Sequence, residues 1–243
     1  MEEMTLNLSL PLVLADESSG HSFVAGGTLL LPADAIVDAI QSVDAIKKRR
    51  GIPTQAKIHC RELFAGSARL KSPFKHFGVD DCHALLAECV DAMLSHNGRW
   101  FGCYINADTY PTELRLIQGT TFAVTKKHLT GLAMAIAIVT TGRITSEEFQ
   151  LAFDPDPSKV DWGLANRLQA THFARTDNRS ISLSSKERCL LDMADVAAYV
   201  LAQSILCQSS PLDRKHWHLP FPDLLKRMQM RTAEFAYRPG EVG

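Results

Sequence analysis

The sequence predicts an α/β protein built on a mixed β-sheet. Three observations predict it. Two apolar segments open the chain, residues 7–15 and His21 to Leu31, joined by turn chemistry at Ser18-Ser19-Gly20. Strand-like and helix-like periods then alternate along the rest of the chain. The length of 243 residues, 46% of them hydrophobic, suffices for one sizeable core. The expected organisation is a single domain over 1–243, with a core of about 7–208 and a C-terminal extension from 209 to 243.

The first two strands read as an antiparallel hairpin. Gly26-Gly27 inside the second implies a bulge or close packing. Pro32 and Asp34 open a helix from about 33 to 49, with Ala35, Ile36, Ala39, Ile40, Val43 and Ile46 on one face. Gly51-Ile52-Pro53 ends it. Ala56 to Cys60 reads as a short extended piece, and Arg61 to Phe64 as a helical turn. Residues 66–78 read as an exposed loop. Asp80 to His96 is a helix with Leu85, Leu86, Cys89, Val90 and Met93 inside, punctuated by Asn97-Gly98. Trp100 to Ala107 is a strand. Pro111 to about Thr140 reads as one long helix, bent near Gly119 or Gly131. Glu147 to Phe153 alternates as a strand, which Pro155 and Pro157 stop. A helix over 158–172, a strand from Ser180 to Leu183, a helix from Ser185 to Cys207 and a helix near Pro222 to Phe235 complete the chain. The sum is a five-stranded mixed sheet with helices on both faces.

Composition narrows the function. The longest apolar stretch, Leu132 to Val139, is far short of the about 18 residues a membrane span needs, so no membrane is expected. The acidic start, Met1-Glu2-Glu3-Met4, is unlike a secretory signal. Six cysteines, without a C-x-x-C pair and set in apolar segments, read as buried reduced thiols, which implies a cytoplasmic compartment. The net charge of −1 does not advertise nucleic-acid binding by the whole surface. Local basic groups occur at Lys47-Lys48-Arg49-Arg50, at Arg69 with Lys71 and Lys75, at Lys126-Lys127 and at Arg214-Lys215. The group at 47–50 reads either as a helix C-terminus favoured by the macrodipole or as a binding patch. No G-x-S-x-G, GK[ST] loop, H-E-x-x-H or G-x-G-x-x-G is present, so triad and nucleotide-cofactor chemistry have no motif behind them. His216-Trp217-His218 near Asp213 is too little for zinc.

The pattern that carries chemistry is carboxylates at the ends of separated apolar segments. Leu12 to Ala15 runs into Asp16-Glu17. Phe149 to Phe153 runs into Asp154, in phase with Gln150 and Ala152. Asp192 and Asp195 lie three apart in an apolar helix, with Tyr199 on the same face. Converging carboxylates repel, and a divalent cation removes that repulsion. An all-oxygen site suits Mg²⁺ or Mn²⁺. Each residue also has a structural reading: Asp16 in an Asx-type turn, Asp156 in a Pro-Asp-Pro turn, Asp192 and Asp195 on a solvent-facing stripe, and His59, one helical turn from Glu62, as a hydrogen-bonded structural residue.

These motifs, in this order, resemble domain-of-unknown-function family 3800, which is regarded as ribonuclease H-like. The resemblance rests on Ala15-Asp16-Glu17-Ser18-Ser19-Gly20, Val24-Ala25-Gly26-Gly27, Lys57-Ile58-His59-Cys60-Arg61-Glu62-Leu63, Leu151-Ala152-Phe153-Asp154, Ser185-Lys186 and Leu191-Asp192-Met193-Ala194-Asp195-Val196. It spans roughly residues 12 to 203. Lys57 stands where the family usually has Glu, and Asp192 where it usually has Gln; the first removes a candidate ligand and the second adds one.

The resemblance implies a ribonuclease H-like fold and hydrolysis of nucleic-acid phosphodiesters with two divalent ions. Asp16, Asp154 and Asp195 would hold the metals, with Glu17 and Asp192 as further ligands. His59 or Glu62 would handle a proton or position water, and Lys186 would neutralise the scissile phosphate. Arg69, Lys71 and Lys75 would meet the substrate. The rival expectation is a non-catalytic module of the same fold, a subunit or nucleic-acid-binding component of a phage-defence or mobile-element system, with a protein partner or a second copy. Lys57 and the overall charge favour the rival. A third reading is a small-molecule phosphoesterase.

Overall fold

A computed structural model describes residues 5–20, 22–115, 121–145, 148–153, 160–165, 181–209 and 220–236. Strands β1 (Leu12–Ser19), β2 (Phe23–Leu31) and β3 (Arg99–Asn106) form an antiparallel meander. Strand β6 (Gln150–Phe153) lies parallel against β1, and β7 (Arg231–Glu234) lies parallel against β3. The five-stranded mixed sheet therefore has the order β6-β1-β2-β3-β7.

The fifth strand is not the expected one. Of the strand expected from Ser180 to Leu183, the described residues contribute an isolated bridge between Ser182 and Thr5, while Ile181 donates its N–H to the Leu151 carbonyl at 2.8 Å. The segment expected as a helix over 222–235 splits into a seven-residue helix (Phe221–Arg227) and β7. Gln229, at a φ of 50°, turns the chain between them. The long helix expected from 111 to 140 also divides. Glu113–Arg115 (β4) and Thr121–Ala123 (β5) pair as a separate antiparallel ribbon, and helix α5 occupies Lys126–Thr145. Thr125 is the reason the helix starts late: its hydroxyl accepts from the His128 N–H, while its own N–H donates to His128 Nδ1 at 3.1 Å, a reciprocal cap.

The helices cover both faces of the sheet. On one face α5 lies against Val13, Ala15, Leu30 and Phe101 through Met134 and Ile138. On the other lie α1 (Ile36–Arg49), α4 (Val79–Ser95) and α6 (Leu191–Ser209), gathered with Leu12, Leu14, Leu29 and Leu31 in the largest core. Short helices α2 (Cys60–Phe64) and α3 (Gly66–Arg69) lie on this side too, followed after α6 by α7, the seven-residue helix Phe221–Arg227. A strand covered on both faces has no need to alternate, and β2, Phe-Val-Ala-Gly-Gly-Thr-Leu-Leu-Leu, is buried throughout.

Gly26 and Gly27 lie in register, without a bulge. They are contact points for the two layers. A Cβ on Gly26 would stand 2.6 Å from the Ala133 backbone of α5, and one on Gly27 would stand 2.3 Å from the Ala198 nitrogen of α6. The pair lets one helix seat on each face of the central strand.

Helix α6 is apolar nearly all round, as a helix buried on all sides must be. With the turn before it, Glu187–Ser209 is long and apolar enough to cross a membrane by length and composition, a feature that counting uninterrupted apolar runs missed. Here 78% of its apolar 18-residue window is buried inside the protein. Residues 66–78, expected as an exposed loop, include α3 and are anchored by the fully buried Phe74.

Candidate functional site

Strand alternation sorts the β1 acids. Leu12 and Leu14 face α6 and Val13 and Ala15 face α5, so Asp16 falls on the α6 face and Glu17 on the α5 face. The structure thus separates two residues expected to share a metal. Asp16 Oδ1 also accepts from the Glu17 N–H at 2.8 Å.

The register then relates Asp16 to α6. Asp16 pairs with Gly27, and Gly27 with Gly102. Gly27 abuts Ala197 and Ala198, whereas Gly102 meets the Leu201 side chain. Three helical residues rise about 4.5 Å, close to the spacing of about 4.8 Å between strands. One strand over thus matches three helical residues along. From that contact at Gly27, Asp195 lies three residues back along α6 from Ala198, and Asp16 lies one strand across, paired with Gly27. On its other side β1 pairs with β6 as far as Ala15 opposite Phe153, the residues that precede Asp16 and Asp154. Asp154 itself lies outside the described residues, as do Asp156, Asp213, Arg214, Lys215, His216 and His218.

The two α6 acids are buried, not solvent-facing: Asp192 is 6% exposed and Asp195 9%. Both bind backbone. Asp192 Oδ2 accepts from the Ile58 N–H at 2.8 Å, and Asp195 Oδ2 from the Cys60 N–H at 2.7 Å. Three residues on a helix and two on an extended segment span comparable distances, about 4.5 and 6.6 Å, so alternate N–H groups of 58–60 reach successive acids on one helix face. Ile58 and Cys60 bury their side chains completely. His59, between them, stays partly open.

Lys47 completes this arrangement, and its role was not legible in the sequence. It is 1% exposed. Its Nζ lies 3.3 Å from Asp192 Oδ2 and donates to the Thr54 carbonyl at 3.4 Å. Its position follows from how α1 ends. Gly51, at a φ of 69°, adopts the left-handed conformation, and the Ile52 N–H returns to the Lys47 carbonyl at 2.8 Å. That cap turns the chain back over Lys47. Burial pushes the Asp192 carboxyl above its usual range, against the pull of Lys47 and the Ile58 N–H. Of the other basic residues of 47–50, Arg49 and Arg50 both bond Glu88, at 2.8 and 2.7 Å, and Lys48 is exposed.

His59 Nδ1 stands 3.7 Å from Glu62 Oε1, with the two side chains 39% and 45% exposed. Arg69, expected to meet substrate, donates to the Leu63 carbonyl at 2.8 Å and ties α3 to α2. Lys57, Arg61, Lys71 and Lys75 are exposed on the same stretch. Lys186 is exposed and sits just before the 3₁₀ turn Glu187–Leu190 that leads into α6. Among the described residues no group of three or more His, Cys, Asp and Glu side chains is disposed to hold a metal ion.

One further alignment of polar groups lies away from this face. His128 joins Thr125 Oγ1 at 3.0 Å through Nδ1, and Asp161 Oδ2 at 3.1 Å through Nε2. The Thr125 N–H donates to the same Nδ1, which marks the group as the cap of α5 docked on residues 161–163.

No family model, no curated protein and no solved structure matches this chain.

Proposed function

We propose that the protein is a divalent-metal-dependent nuclease of ribonuclease H-like fold. The observation that carries the reading is that Asp16 and the buried Asp195 belong to one layer: Asp16 falls on the face of β1 that α6 covers, and Asp195 is on α6 itself. The strand arrangement supports the fold reading. An antiparallel meander carries a parallel strand against its first member, and Ile181 hydrogen-bonds to the outer side of that strand. Strand β7 is an addition at the far edge.

The donor set fits a hard cation, because it is carboxylate oxygen throughout. Asp16, Asp154 and Asp195 would hold Mg²⁺ or Mn²⁺. A bound ion of this kind lowers the pKa of water and offsets charge on the phosphoryl oxygens. Asp195 holds the Cys60 N–H with one oxygen, and a carboxylate offers two oxygens and about four lone-pair directions. Lys47 already neutralises Asp192, whose Oδ2 also takes the Ile58 N–H, and Glu17 faces the opposite layer, so this reading leaves both out of the set. His59, next to Glu62, would move the proton at the leaving or attacking oxygen, and Lys57, Arg61, Lys71, Lys75 and Lys186 would attract the phosphate backbone.

A second reading, a non-catalytic module that binds nucleic acid or a protein partner, is favoured by one observation. Both α6 carboxylates serve as backbone acceptors, which gives them a structural use.

Cleavage of labelled single-stranded and duplex DNA and RNA, and of a hybrid, with Mn²⁺, Mg²⁺ or EDTA, separates the two. Metal-dependent cutting that is lost in Asp16→Asn and Asp154→Asn establishes the nuclease and names its substrate. A folded protein that neither cuts nor shifts its Tm with Mn²⁺ overturns the reading in favour of the module.

A further inference from the structure

We infer that Asp192 is a positioning residue, with Lys47 as its buried counter-ion, and that the pair latches the segment 54–60 so that His59 and Glu62 are presented at a fixed height beside Asp195. The inference rests on the proposed nuclease for what His59 and Glu62 do; the latch itself stands on geometry alone.

Four bonds define the latch. Lys47 Nζ reaches the Thr54 carbonyl and Asp192 Oδ2, Asp192 Oδ2 takes the Ile58 N–H, and Asp195 Oδ2 takes the Cys60 N–H. The first three involve a charge buried to 6% exposure or less. Two like acids three residues apart in an apolar helix would repel, and the ammonium of Lys47 relieves that at Asp192. The two acids therefore divide their work. Asp192 is neutralised and turned to the segment, and Asp195 lies one turn further along α6. A segment held at Thr54, Ile58 and Cys60 leaves the backbone of His59 little freedom, and catalytic groups lose rate steeply when misplaced by about 1 Å. A metal-ligand role for Asp192 would instead set a second cation beside the Lys47 ammonium, which lies 3.3 Å from its Oδ2.

Two double variants test this, because both remove the buried charges together. Lys47→Met with Asp192→Asn keeps an amide oxygen for the Ile58 N–H, whereas Lys47→Met with Asp192→Leu removes it. Residue-resolved amide exchange reads the latch, and the Mn²⁺-induced Tm shift and the split between kcat and KM read the consequence. The Asn pair is expected to keep Ile58 protection, the Tm shift and kcat. The Leu pair is expected to keep the Tm shift and KM, lose Ile58 protection by about 10-fold and lose kcat by a similar factor, the size of one hydrogen bond. Equal Ile58 protection in the two folded variants overturns the latch. Loss of the Tm shift in the folded Asn pair overturns the positioning role and makes Asp192 a ligand. A wild-type protein with neither cleavage nor Tm shift removes the nuclease reading, and the exchange comparison then decides the latch by itself.

Discussion

The carboxylate of Asp195 accepts a hydrogen bond of 2.7 Å from the backbone N–H of Cys60, 135 residues earlier in the chain. Through that bond the acid expected to hold a metal also holds the segment that bears His59. The two jobs respond differently to substitution. Asparagine retains an acceptor oxygen, so Asp195→Asn is expected to cost less than about 1 kcal/mol while abolishing metal-dependent cleavage. Asp195→Ala strands a buried N–H and opens a small cavity, and is expected to cost about 2–3 kcal/mol. Urea denaturation beside the cleavage assay checks both. An Asn variant as unstable as the Ala variant would show that the charge, not the acceptor, holds Cys60.

Gly27 is where α6 rests on the sheet, and Gly66 borders open space. Gly27→Ala would bring a methyl to 2.3 Å from the Ala198 backbone nitrogen, so the helix must lift. Overpacking against backbone is expected to cost about 3 kcal/mol or more, and to loosen the seat of Asp195 with it. Gly66→Ala, at the start of α3, is expected to be neutral or to stabilise by up to about 1 kcal/mol. Paired thermal melts decide the point. Similar Tm values for the two variants would mean that α6 does not pack this closely.

The parts of this protein that were legible in the sequence are those set by local pattern. The hairpin β1–β2, the inner stripe of α4 and the run of α6 follow from apolar periodicity, and the caps at Gly51 and Asn97 from turn chemistry. Asp16 and Asp195 were singled out because charges stood where apolar residues were expected. What the sequence hid depends on contacts between distant positions. Lys47 reads as the start of a solvated basic run, and only the return of residues 54–60 over the helix end buries it. The ribbon β4–β5 has helix-compatible residues, and Thr125 with His128 decides where α5 begins. Strand β7, four exposed residues, gains its place by pairing with β3. Glu17 looked equivalent to Asp16 because composition carries no face; the strand's period of two divides them.

Lys47→Met leaves the Asp192 carboxylate buried without its cation. Breaking such a pair from one side is expected to cost about 3–5 kcal/mol at pH 7, whereas replacing both partners by apolar residues should recover most of that loss. The pH dependence has a defined sign. Burial already lifts the Asp192 carboxyl above its usual 3.8, and removing Lys47 lifts it further. A carboxyl raised on folding favours the folded state at low pH and disfavours it as pH rises through the folded value. The deficit of Lys47→Met relative to wild type should therefore shrink as pH falls toward 3.8. A deficit independent of pH from 7 to 4 would indicate lost packing alone.

Glu88 behaves oppositely. Its hydrogen bond with Arg50, reinforced by Arg49, holds its carboxyl down at about 2, below the usual 4.5. A depressed carboxylate contributes stability above the unfolded value and loses it as pH falls through the folded one. The pair joins the end of α1 to α4, and about a third of the Glu88 side chain is exposed, so solvent screening limits its contribution to about 1 kcal/mol. Glu88→Gln is expected to be less stable than wild type by that amount above pH 4.5, with the difference fading between pH 4.5 and 2. Denaturation midpoints across that range test it, and a constant difference would assign the effect to geometry instead of charge.

The cysteines supply the last prediction. All six are buried and unpaired with one another. Desolvation pushes the thiols of Cys89, Cys103 and Cys189 up to about 12, and lifts Cys60 well above its usual value, with the neighbouring Asp195 carboxylate adding to the effect. A thiolate is the reactive form, so a thiol beside a carboxylate in an apolar core is a poor nucleophile. Cys60 thus belongs to the packing beneath Asp195 and not to the chemistry above it. An aromatic disulfide reagent at pH 8 is expected to label none of the cysteines in the native protein and six after unfolding in urea. Stoichiometric labelling of Cys60 before unfolding would mean that the 54–60 segment opens readily, and that neither acid of α6 holds it shut.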